Sequence, residues 1–203
     1  SVEPVDKPPR KVTLPRPGHA DLAGVEKYGF DDIRNVLERS SARETTMRVA
    51  LASVCRKLLS DIGINVASRV VQIHDIIDTS EIPQGINTDE LNPLADKSPV
   101  RCLDKNIEKE MINVIDHAKK QGDSVGGIFE IIATGLPHGL GSYTQWDRKL
   151  QSKITSLMMS VNAYKAIEIG SGFNSGAKFG SEIHDEIGWD GKKYTRGSNN
   201  AGG

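Results

Sequence analysis

Long apolar runs are missing from this chain, and so is any excess of charge. No stretch reaches the roughly 20 apolar residues that a membrane-spanning helix needs, which excludes a helical membrane protein. The start shows no charged segment followed by an apolar one, so a secretory leader is not expected. Formal net charge is −1 over 203 residues, which removes any global pull toward nucleic acid or anionic lipid. A charged ligand would have to be held by a local cluster of Arg and Lys.

Cysteine is scarce as well. Cys55 and Cys102 have no CxxC partner and no histidine at ligand spacing, so neither a metal site nor a disulfide framework is expected. Cys55 falls inside a helical pattern and reads as a small apolar residue. A reducing, cytoplasmic setting is expected. GxGxxG, GxxxxGK[ST], HExxH and GxSxG are absent too. Gly170, Gly172, Gly176 and Gly180 are glycine-rich but wrongly spaced for a dinucleotide loop. Metal-dependent hydrolysis and serine esterase chemistry are poor fits.

What remains is a globular composition, 37% hydrophobic and 26% charged, long enough for one domain with a real core. From Ala42 to Ile62 apolar residues recur at Ala50, Val54, Leu58 and Ile62, with Leu51, Cys55 and Leu59 beside them. That spacing predicts a helix with a broad buried face, ended by Gly63. "NVASRVVQI", residues 65–73, reads as a strand. Residues 75–103 hold Pro83, Pro93 and Pro99 without a sustained period and are expected to form a long loop. A helix over 104–121, a strand at "IFEIIA", a helix at "WDRKLQSKITSLMMSV", a strand at "YKAIEI" and a turn at "WDGK" follow. Alternating helices and strands predict a mixed, layered architecture in a single domain over 1–203. Five prolines make residues 1–17 an extended arm. With glycines at the other end, the chain is expected to be an excised core.

Chemistry concentrates in "LERSSARET", residues 37–45. Ser41 and Glu44 have capping-box spacing, in which each side chain satisfies the other's backbone N–H. Arg39 and Arg43 do not fit that explanation. A helix start already carries partial positive charge, so cations there suit a bound phosphate or carboxylate. These residues leave both readings open. In "LPRPGHADLAG", residues 14–24, His19 is either a proton carrier or a turn histidine bonded to Asp21, the commoner arrangement. His74, His117, His138 and His184 fit ordinary surface roles.

Four blocks then stand out: "RPGHADLAGVEKYGFDDIRNVLERSSARETTMRVA", "GLPHGLGSYTQWDRKL", "MSVNAYKAIEIGSGF", and "GSEIHDE" with "SNNAGG". Their content and order resemble the chorismate synthase family from Arg16 to Gly203. The resemblance implies an α+β fold, a β-α-β sandwich with internal pseudo-symmetry, assembled as a homotetramer. It implies a lyase that eliminates phosphate and a ring proton, anti-1,4, from 5-enolpyruvylshikimate 3-phosphate to give chorismate. Reduced FMN is the implied cofactor, and NADPH, with which some members reduce their own flavin, the candidate reductant. By motif, His19 resembles the catalytic histidine beside the flavin. Arg39, Ser40 and Ser41 resemble its Arg-Ser-Ser contact, Asn162 and Ala163 a second flavin contact, and Arg43 a substrate-binding arginine. Family members carry further catalytic groups in N-terminal and C-terminal segments not found in these 203 residues. The alternative expectation is therefore a folded, oligomerising core that binds flavin or substrate only weakly.

Overall fold

The computed structural model describes residues 10–82 and 88–201. The first nine residues of the expected arm, residues 83–87 of the expected loop and the last two glycines lie outside them. The chain divides into two compact units: Val49–His138, and Ser1–Arg48 together with Gly139–Gly203.

The unit Val49–His138 is built on a three-stranded antiparallel sheet ordered β2-β1-β3. Strand β1 (Asn65–Ile73) pairs with β3 (Gly127–Thr134) from Asn65↔Thr134 to Ile73↔Gly127. The register shifts between Val70 and Gln72, so Val71 forms a bulge. Short β2 (Ile76–Ile77) covers only the end of β1's other edge. Further along that edge Asn92 takes over. It accepts from the Ser68 N–H at 3.1 Å and donates to the Val66 carbonyl at 3.1 Å, which keeps the edge from presenting free backbone groups.

Asn92 belongs to α4 (Thr88–Ala95), which lies inside the segment expected to be a loop, as does β2. Pro93 sits within this helix and interrupts the pattern that would have revealed it. Helix α5 (Lys105–Gln121) matches its prediction closely. Asp104 caps it by accepting from the N–H groups of Asn106 and Ile107, and left-handed Gly122 ends it. Ile64, Ala67, Leu91, Ala95, Cys102, Met111 and Ala118 are the unit's buried apolar residues. Asp78 is buried among them, its carboxylate accepting from the N–H groups of Ser80, Leu103 and Asp104.

Helix α3 (Arg43–Asp61) forms as predicted but without its predicted buried face. Leu51, Val54, Leu58 and Ile62 are 64% to 71% exposed. The period marks an apolar stripe correctly, but nothing among the described residues lies against it.

In the other unit, α1 (Asp21–Tyr28) packs on α2 (Arg34–Ser40). Gly24 permits the approach, since a Cβ there would come within 2.5 Å of Val36 Cγ1. Ile33 and Val36 are the buried apolar residues of this packing. After Gly139 come a 3-10 turn (Trp146–Arg148) and α6 (Leu150–Met159), where one longer helix was predicted. The extended Lys149 separates them. The strand predicted at "YKAIEI" does not form: residues 164–169 have no regular structure, because among the described residues no strand lies alongside to complete a ladder. Short α7 (Gly180–Ile183) and the hairpin β4 (Ile187–Trp189) to β5 (Tyr194–Arg196) finish the unit. Asp190 accepts from the N–H groups of Lys192 and Lys193, and left-handed Gly191 completes the predicted "WDGK" turn. All described strand pairs are antiparallel and no helix serves as a parallel crossover, which makes the chain α+β, as expected.

Candidate functional site

His19 follows a left-handed Gly18 and precedes α1. Its Nδ1 lies 2.6 Å from Asp21 Oδ1. Asp21 is wholly buried, and Arg16 grips it through its backbone N–H, Nε at 2.8 Å and Nη2 at 3.2 Å. The Arg16 hydrogen bond, with help from His19, holds the Asp21 carboxyl well below the usual carboxylate range despite burial. An ionised Asp21 can only accept, so Nδ1 of His19 carries the proton and donates it. The bland reading of His19 is thus correct as far as its partner goes. The same bond also orients the ring, one quarter exposed, as histidines that work beside ligands are oriented. Asp21 was anticipated as the partner of His19, whereas Arg16 was not singled out in the sequence. The Arg-x-x-His-x-Asp spacing was the signal available.

The "LERSSARET" segment joins α2 to α3. Ser40 donates its hydroxyl to the Val36 carbonyl at 2.8 Å. Ser41 is extended, and its Oγ accepts from the Arg43 N–H at 3.2 Å. The predicted capping box does not close, because Glu44 is drawn the other way. Its carboxylate pairs with Arg48, one turn along α3, at 3.0 Å. Arg39 and Arg43 are both exposed, and neither pairs with an acid among the described residues. Their helix positions differ. Arg39 is in the last turn of α2, where a cation suits the helix dipole, while Arg43 opens α3, where it opposes it.

Asn162 and Ala163, far along the chain, meet this segment. Asn162 Nδ2 donates to the Ser41 carbonyl at 3.0 Å, across 121 residues of sequence. Ala163 is left-handed, with φ +72°, a conformation that an alanine keeps only where its surroundings impose it. Two of the blocks that resembled flavin contacts are therefore in direct contact. His19 reaches the same unit through α1, which packs on α2, but makes no hydrogen bond to Arg39, Ser40, Ser41 or Arg43 among the described residues.

A second polar cluster was missed. Asp185 accepts from Ser198 Oγ at 2.7 Å and from the N–H groups of Asn200 and Ala201 at 2.5 and 3.0 Å. These bonds hold its carboxyl below the ordinary range, the Asn200 N–H first among them. Asn200 also binds Ser171, through the Ser171 N–H to its carbonyl at 2.7 Å and from Ser171 Oγ to Oδ1 at 2.9 Å. This clasp joins "GSGF", "IHDE" and "SNNA". A cavity of about 630 Å³, lined by Gln151, Ser152, Thr155, Ser156, Ile169 and Ala201, includes none of the residues singled out for function. It is open and has no charged side chain, whereas the α2–α3 junction offers cations and a helix start. The junction is the better seat for an anion.

A guanidinium opening a helix, two serine hydroxyls beside it and a left-handed turn brought against them suit an anionic ligand. Comparison with known proteins identifies the family. The sequence model of the chorismate synthase family matches residues 6–203, and the chain belongs to that family. It is 53% identical over 195 residues to "Chorismate synthase 2" of Bacillus cereus, covering 96% of this chain and 50% of that one. It is 51% identical to "Chorismate synthase 1" of Bacillus anthracis over the same shares. A solved structure, "Crystal Structure of Chorismate Synthase", superposes with a TM-score of 0.78 at 43% identity, over 89% of this chain and 56% of that one. The chain spans about half the length of the curated relatives it matches.

Proposed function

We propose that this chain carries the flavin- and substrate-binding core of a chorismate synthase. The enzyme would be a lyase of aromatic amino acid biosynthesis, turning 5-enolpyruvylshikimate 3-phosphate into chorismate by anti-1,4 elimination of phosphate and a ring proton. The observation that supports this best is the Asn162–Ser41 hydrogen bond, which joins both flavin-like blocks at the basic start of α3. Ser40, Ser41, Asn162, Ala163 and Arg39 are the residues that would hold FMN. Arg43 would bind the substrate's anionic groups, and its cation would stabilise the charge that grows on the departing phosphate. His19, oriented by Asp21, would hold a proton beside the flavin. Bound at these residues, reduced FMN would lend electron density transiently to an elimination that is redox-neutral overall. NADPH as reductant, a homotetrameric assembly and a cytoplasmic setting belong to the same reading.

The test is anaerobic titration of the chain with reduced FMN, then with 5-enolpyruvylshikimate 3-phosphate, monitoring flavin and chorismate absorbance. Saturable flavin binding that tightens with substrate, with chorismate formed, is the expected result. A folded chain that binds no reduced FMN would overturn it.

A further inference from the structure

We infer that Arg48 is a positioning residue for the turn that carries Asn162 and Ala163. The inference rests on the flavin role proposed above for that turn. Arg48 lies on α3 one turn beyond Glu44, and its guanidinium is used on two sides. Nε donates to both oxygens of Glu44, at 3.0 and 3.3 Å, which fixes the fork against its own helix. Nη1 reaches across to Ser160 Oγ at 2.6 Å, at the end of α6.

The donors and acceptors balance. Ser160 donates its hydroxyl hydrogen to the Leu157 carbonyl at 2.6 Å and accepts from Arg48 with a lone pair. Ser160 thus has a single rotamer that serves both bonds. Two residues later, Asn162 donates to Ser41. The turn is pinned at residue 160 by the second turn of α3 and at residue 162 by Ser41, two residues before α3. Between and beyond these points the chain must accommodate the left-handed Ala163. The turn's own backbone bond, from the Tyr164 N–H to the Val161 carbonyl, is long at 3.3 Å, so loss of either pin would loosen the left-handed Ala163 and let Asn162 move away from Ser41. Glu44 explains itself in the same way: it holds Arg48 at the right height instead of closing a capping box.

The test compares the chain with Ser160→Ala, Arg48→Met and Arg48→Lys. Ser160→Ala removes one hydroxyl from an exposed helix end and should leave folding intact. Three quantities are measured: the dissociation constant for reduced FMN, amide hydrogen exchange over residues 161–164, and the thermal midpoint. Loss of a charge-assisted bond predicts FMN binding weakened about ten-fold in Ser160→Ala and Arg48→Met, with partial recovery in Arg48→Lys. Exchange over 161–164 should speed up selectively. A lowered thermal midpoint with unchanged FMN affinity and unchanged exchange in Ser160→Ala would reduce Arg48 to a structural cation and overturn the inference. If the unaltered chain binds no reduced FMN, the functional reading fails by itself. The exchange arm then decides alone whether Arg48 holds the turn: faster exchange supports it, unchanged exchange overturns it.

Discussion

Helices α5 and α3 begin in opposite ways. Helix α5, in the sheet-bearing unit, starts with an acid: Asp104 accepts from two first-turn N–H groups, and Glu108 adds negative charge where the dipole is positive. Helix α3 starts with Arg43, with Arg39 just before it and the nearby acid Glu44 committed to Arg48. The first arrangement is complete within the chain. The second concentrates positive charge and accepts only one N–H through Ser41. The two helix starts differ in the sign of the side chains placed there, as the proposed anion seat at α3 requires.

The units differ in the same sense. Val49–His138 buries a cluster of apolar residues under a registered sheet, while the unit with the candidate site buries Ile33 and Val36 and otherwise relies on side chain-to-backbone bonds. Breaking the first should therefore cost stability, and breaking the second should cost binding. The largest effect is expected from Met111→Ala, since that side chain is wholly buried. A loss of about 2–5 kcal/mol in denaturant unfolding is expected for such a truncation. A loss near zero would mean that the sheet-bearing unit does not dominate stability.

Arg43→Ala should behave in the opposite manner. Its guanidinium is exposed and makes no acid pair among the described residues, so the unfolding free energy should hardly change. Affinity for 5-enolpyruvylshikimate 3-phosphate should fall about ten- to hundredfold, as measured by titration of the flavin-bound chain. Unchanged affinity would return Arg43 to a solvated helix end.

How much of this contrast the sequence disclosed depended on the range of each interaction. Helix α5 was legible because its stripe, its cap Asp104 and its stop Gly122 are all local. The β1 and β3 runs were legible because β-branched residues mark them. Helices α1 and α2 carried no strong period and were not foreseen, and Pro93 disguised α4. "YKAIEI" has a strand's composition, but a strand exists only with a partner. The Asp21 partner of His19 could be read two residues away, whereas the Ser41–Asn162 and Asp185–Asn200 contacts could not be read from any local pattern. Only the family blocks pointed to the first. The capping-box spacing misled because a nearby Arg48 competes for the same carboxylate.

Acid offers a test that involves both units, because each buries one carboxylate. For Asp78, burial alone would raise the pKa, but bonds from Ser80, Leu103 and Asp104 outweigh it and lower it; for Asp21, Arg16 does the same. Each folded pKa lies below the ordinary value of 3.8, so each stabilisation is complete above that value and fades as pH falls from 3.8 toward the folded pKa. Unfolding free energy followed against pH should drop in this acid window. Asp21→Asn should lessen the slope there and disturb FMN binding, while Asp78→Asn should lessen the slope alone. Equal effects of both on FMN binding would erase the distinction between the units.

The smallest expected effect concerns the apolar stripe of α3, where sequence and structure disagree most. Val54 is 71% exposed, although its position in the four-residue repeat marks it as core. Val54→Gln exchanges a β-branched residue for a better helix former at an exposed site. The unfolding free energy of this chain should then move by no more than about 0.5 kcal/mol. Burial of the same side chain would instead make the glutamine amide an unsatisfied group costing about 1–3 kcal/mol. A loss of that size would place α3 with α5, as a helix whose stripe is covered. A change near zero would leave the two helices as different at their faces as they are at their starts.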